Sequence, residues 1–148
     1  MKSFEFAFRG ISDTISTERN MRVHLCFAFY VIVAGLVTKI SATEWAAVLI
    51  CIGLVMSFEC FNTAIENLCD TLSTEKCEGI RVTKDASAGA VLCSAIASAI
   101  VGGIIFFNKS KIAAAVEFFK NNTMISVLII LTLIPLGFFA KGRKREQK

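Results

Sequence analysis

Four long apolar runs dominate the chain and narrow its folds more than any other feature. They cover about 22–38, 45–69, 85–107 and 124–140. A bilayer core about 30 Å thick is crossed by roughly 20 helical residues. Backbone amides and carbonyls left bare in lipid are costly, so a spanning run closes its hydrogen bonds within a helix. None of the runs alternates apolar and polar residues as a half-buried strand would. The composition agrees: 55% of the residues are hydrophobic and 19% charged. A soluble domain of 148 residues needs more polar surface than that. The expected fold is therefore an all-α membrane protein.

Before the first run lies a segment of different character. Phe4, Phe8, Ile11 and Ile15 recur at helical spacing while Glu5, Arg9, Asp13 and Glu18 interrupt any continuous apolar stretch. That excludes a signal peptide and predicts an amphipathic interfacial helix over 3–20. Twelve of the sixteen Lys and Arg fall in the N-terminal segment, the loop after the second span and the C-terminal tail. The bias places both termini and that loop in the cytoplasm of a multi-pass cell-membrane protein. The expected domains are a membrane domain over 1–110 and an added C-terminal span with a basic tail over 111–148. Six cysteines form no CxxC pair and the single His24 offers no zinc constellation. Asn108-Lys109-Ser110 and Asn121-Asn122-Thr123 match the glycosylation pattern but read as ordinary loop residues, and Gly102-Gly103 as tight helix packing. Nothing in the sequence points to a nucleic-acid partner.

The informative stretch ends the second span. On one helix, Glu59, Asn62, Thr63, Glu66 and Asp70 fall within a stripe roughly 100° wide. Counted from Trp45 at the outer interface, Glu59 lies roughly 21 Å along the helix, inside the bilayer core. An acid at that depth is costly and is a functional candidate by default. Glu66 and Asp70 reach the boundary, where aligned carboxylates call for cations such as Mg²⁺. Glu18 and Arg22 enter the first span at the same level. Lys84 and Asp85 open the third beside the small residues Ala88, Gly89 and Ala90, which allow close helix approach. Carboxylates for metal, a lysine for phosphate and an acid within the membrane suggest phosphoryl transfer at the membrane surface. A small proton-coupled transporter using Glu59 as its carrier carboxylate is the alternative.

Glu59-x-x-Asn62-Thr63-Ala64-Ile65-Glu66-x-x-x-Asp70, followed by Lys84-Asp85-Ala86-Ser87-Ala88 and preceded by Glu18-x-x-x-Arg22, resembles the small prokaryotic diacylglycerol kinase/undecaprenol kinase family over roughly residues 4 to 107. The resemblance implies three core spans behind a surface helix, a homotrimer, and Mg-ATP-dependent phosphorylation of a membrane lipid alcohol. It implies that Glu59 is the catalytic base and that Glu18 and Glu66 bind metal. Nucleotide contacts would come from Glu18, Glu66, Glu75, Lys76, Cys77, Lys84 and Asp85, with Asn62, Asp70 and Arg22 organising the site. The family's Ser-x-Glu-Tyr-His loop reads Ser73-Thr74-Glu75-Lys76-Cys77 here, keeping only the serine and the acid. The segment 17–24 is closer to undecaprenol-type members than to diacylglycerol-type ones.

Overall fold

The structure is a computed structural model, and it describes residues 2–72 and 77–142. Seven helices follow one another: α1 (Lys2–Thr17), α2 (Arg19–Thr38), α3 (Ala42–Leu72), α4 (Glu78–Phe106), α5 (Lys109–Asn121), α6 (Thr123–Leu131) and α7 (Leu133–Lys141). Among the described residues there is no strand. Four stretches are long and apolar enough to cross a membrane: α2, α3, α4 and Thr123–Lys141. The spans expected from hydropathy are all present.

Their bounds differ in instructive ways. The surface helix ends at Thr17, one turn before the expected limit, because Glu18 takes an extended conformation (φ −96°, ψ 122°) and turns the chain into α2. α4 starts at Glu78 rather than near 85. Its first turns carry Arg81, which bonds Glu78 at 2.5 Å and Asp85 at 2.7 Å. Such i,i+3 and i,i+4 pairs sustain a helix outside the apolar core, where hydropathy has no signal. α5 occupies residues expected to be loop. Asn108 caps it, its Oδ1 accepting from the Ser110 amide at 3.1 Å. The fourth span is divided at Thr132. Pro135 has no N–H to offer the Leu131 carbonyl, and the Thr132 amide is shared between the carbonyls of Leu128 and Ile129, each at 3.2 Å.

α3 and α4 form the most extensive helix pair. α2 lies against α3 and receives α7 on another side, where Tyr30 Oη and Thr132 Oγ1 are 3.0 Å apart and Cys26 Sγ approaches the Leu136 carbonyl at 3.5 Å. Four residues along α2 match four in the opposite sense on the last span, so the two run antiparallel. Gly142 then arrives beside Arg22 with φ +55°, and a Cβ there would run into the guanidinium. The main apolar cluster, Ile40, Val48 and Ile105 with Trp45, sits at the opposite end. A Cβ on Gly35 would come within 2.8 Å of the Trp45 ring, so glycine lets α2 settle on that indole. The tight packing expected at the other glycines is not made within the chain: a Cβ on Gly89 or Gly102 meets nothing within 4 Å, and one on Gly103 meets only the Phe107 ring at 3.8 Å.

Candidate active site

The polar row of α3 faces inward at its upper end and opens outward below. Glu59, Asn62 and Thr63 are buried, Glu66 is half-buried and Asp70 is exposed. Glu59 is 1% exposed, the most enclosed charged side chain among the described residues. Thr63 Oγ1 donates to the Glu59 carbonyl at 3.0 Å, which ties that hydroxyl to its own helix. The row does not converge on one point. Asn62 Nδ2 donates to Glu66 Oε1 at 2.9 Å, while its Oδ1 accepts from Ser87 Oγ of α4 at 2.7 Å. The same Ser87 hydroxyl lies 2.9 Å from the Lys84 carbonyl, so one proton serves two acceptors. One turn further, Lys84 Nζ bonds Asp70 Oδ1 at 2.5 Å, closing the α3–α4 seam.

Asp85 turns away from this seam to Arg81. Glu18 stands half-buried at the elbow and caps nothing with its side chain. Arg22 acts on that elbow: its Nη1 donates to the carbonyls of Ile15 and Ser16, both at 2.9 Å. These carbonyls end α1 and have no helical partner, so Arg22 joins α1 to α2 through them. Cys77 is exposed at the N-cap of α4 and supplies no capping bond. Glu75 and Lys76 lie outside the described residues.

One neighbour of Glu59 was set aside in the sequence. His24 Nε2 comes within 3.2 Å of Glu59 Oε1, from α2 to α3. The two atoms make a close polar contact, and Oε1 has no hydrogen-bond partner. With Arg22 Nε, it is one of two buried side-chain polar atoms left bare among the described residues. A lone histidine reads as silent when only metal spacing is sought. Counting depth along α2 as along α3 would have placed it near the level of Glu59.

A cleft of about 500 Å³ opens between α1, α2 and α3, lined by Leu25 and Cys60 but by neither His24 nor Glu59. Ile11, Ile15, Met21, Met56, Phe61 and Ala64 are among its lining residues. Its walls are apolar, which suits hydrocarbon. The α3–α4 seam offers the opposite chemistry, with amide, hydroxyl, carboxylate and ammonium groups. Among the described residues no three His, Cys, Asp or Glu side chains gather closely enough to hold a metal on their own.

Residues 5–106 match the family described as prokaryotic diacylglycerol kinase. An undecaprenol kinase of Bacillus subtilis is 40% identical over 108 residues, covering 73% of this chain and 88% of that protein. A diacylglycerol kinase of Synechocystis is 38% identical over 104 residues, covering 70% of this chain and 59% of that protein. No solved structure matches the chain. The matched region ends with α4, so α5, α6 and α7 lie beyond it.

Proposed function

This chain belongs to the prokaryotic diacylglycerol kinase family, and from that premise we propose that its site moves the γ-phosphoryl group of Mg-ATP to the primary hydroxyl of a membrane lipid alcohol, undecaprenol in preference to diacylglycerol. The chain is an ATP-dependent lipid kinase in a multi-pass membrane protein. One observation carries the assignment of chemistry to residues: Glu59 is buried in a membrane-crossing helix with Oε1 bare. An acceptor held there without a donor suits removal of a proton from a hydroxyl whose hydrocarbon chain stays in the membrane.

Glu66 lies two helical turns away, about 10 Å along the axis, toward the exposed end. Lys84 exchanges Asp70 for a phosphate oxygen, a trade of one anionic acceptor for another. Asn62 holds Glu66 and is itself held by Ser87, so the acid keeps its direction while the nucleotide arrives. Arg22 fixes the elbow that carries Glu18. Asp85, joined to Arg81, and the segment with Glu75, Lys76 and Cys77 belong to the nucleotide side of this reading.

The donor chemistry fits magnesium. Glu18 and Glu66 are hard oxygen donors, and neither is paired with a lysine or arginine among the described residues. Two carboxylates would hold Mg²⁺ only in part, leaving the rest of its oxygen shell to water and substrate phosphate. When bound, Mg²⁺ neutralises charge on the transferring phosphoryl group. The cytoplasmic placement of the site and of both termini is supported by the lysine and arginine bias. A homotrimer is supported by the family resemblance and by Gly89 and Gly102, where an added Cβ would meet nothing within 4 Å among the described residues. Family membership favours a kinase over a transporter.

The test supplies purified protein in liposomes with labelled ATP and Mg²⁺, and either undecaprenol or diacylglycerol. Label is expected in lipid phosphate, faster with undecaprenol. No label in either lipid refutes the lipid-kinase reading; faster turnover of diacylglycerol refutes the preference alone.

A further inference from the structure

Imidazole is the side chain best suited to accept and release a proton near neutrality, and this chain has a single histidine. α2 delivers it to the buried acid: His24 Nε2 is 3.2 Å from Glu59 Oε1, the imidazole 23% exposed and the carboxylate 2%. One edge of the imidazole is therefore left uncovered by protein, while the carboxylate is enclosed. A histidine that merely filled the space between α2 and α3 would leave Oε1 buried and bare for no return, which folded proteins rarely tolerate.

Resting on the lipid-kinase reading above, we propose that His24 is the positioning residue behind Glu59, acting through the carboxylate by taking from it the proton of the lipid hydroxyl. In this step the hydroxyl O–H bond breaks as its oxygen bonds to the γ-phosphorus. The bond from that phosphorus to the bridging oxygen breaks, and its electron pair leaves on ADP. With the ring proton on Nδ1 and Nε2 free to accept, the proton moves from the hydroxyl to Glu59 Oε1 and across to His24 Nε2, and Nδ1 releases its own proton to water. Lipid alcohol and ATP become lipid phosphate, ADP and one proton, and Glu59 is again ready to accept. His24 never touches the lipid; it acts through Glu59.

Because the histidine is single, its ring nitrogens can be followed without assignment by mutation. Full-length protein carrying ¹⁵N-histidine in lipid nanodiscs is expected to show a shifted Nε2 resonance in Glu59→Gln. An unchanged spectrum overturns the contact, whatever the activity. In liposome assays with undecaprenol, His24→Gln keeps an amide within reach of Glu59 but cannot carry a proton. Its kcat is expected to fall about ten- to a hundredfold, with KM for ATP and for undecaprenol within about twofold of the parent. Imidazole added to His24→Ala should restore part of the lost rate, and none in Glu59→Gln. Full kcat in His24→Gln, a loss confined to KM, or no recovery with imidazole overturns the relay. Full activity in His24→Gln beside an inactive Glu59→Gln removes His24 alone. Activity retained by Glu59→Gln removes the base and its relay together.

Discussion

Each end of α3 carries an acid joined to a lysine from another helix, yet the two ends are built to different purposes. At the Ala42 end, Glu44 Oε2 accepts from the Ser41 amide at 2.6 Å and from Lys111 Nζ of α5 at 3.0 Å, while Ser41 Oγ accepts from the Glu44 amide at 3.3 Å. That reciprocal cap rests on the Ile40, Val48 and Ile105 cluster, and its acid and lysine are 28% and 16% exposed. Every group there has its partner. At the Leu72 end, Asp70 and Lys84 are 68% and 33% exposed, open to exchange partners, and Glu59 above them keeps a bare oxygen. Acids and lysines alone do not distinguish a structural end from a reactive one; bonding capacity left unused does.

The contrast can be broken first at Glu59. Glu59→Gln is expected to lower kcat for lipid phosphorylation by about 10²- to 10⁴-fold without lowering the unfolding temperature, since it removes a buried group that lacks a full partner. A variant with parental kcat would make this acid structural like Glu44. Next, Glu66→Gln should raise the Mg²⁺ concentration for half-maximal rate about tenfold and leave the lipid KM in place. A larger change in the lipid requirement than in the metal requirement refutes its role as a ligand. Lys84→Met is expected to raise KM for ATP by about tenfold, whereas Lys111→Met leaves both KM values unchanged. Equal kinetic effects from the two lysines would erase the difference between the ends. The smallest change is expected from Ser41→Ala, which loses the cap of α3 and about 1 kcal/mol of stability with kcat unaltered; thermal unfolding in detergent and the liposome assay read the two separately.

Much of the frame was legible from hydropathy. Four runs gave four spans, since a bilayer leaves a chain few choices. The row from Glu59 to Asp70 was legible because helical period alone puts those residues on one side. α5 was not: Lys109, Lys111, Glu117 and Lys120 keep its residues below the hydropathy of a span, and its anchor, Glu44, is far away in sequence. The extra turns of α4 were hidden because Arg81 stabilises them through charge. The Thr132 break carried a signal in Pro135, masked by the apolar residues around it.

Sequence alone determined how many times the chain can cross a bilayer and which side chains share one side of α3, because both follow from the helix repeat and the cost of bare backbone in lipid. The Glu66–Asn62 bond is one turn apart on α3 and follows from that repeat too, but only tertiary structure decided that Glu59 faces His24 and Asp70 faces Lys84. Those pairings depend on the rotation and offset of α2 and α4 against α3, which helical period leaves free and side-chain packing fixes.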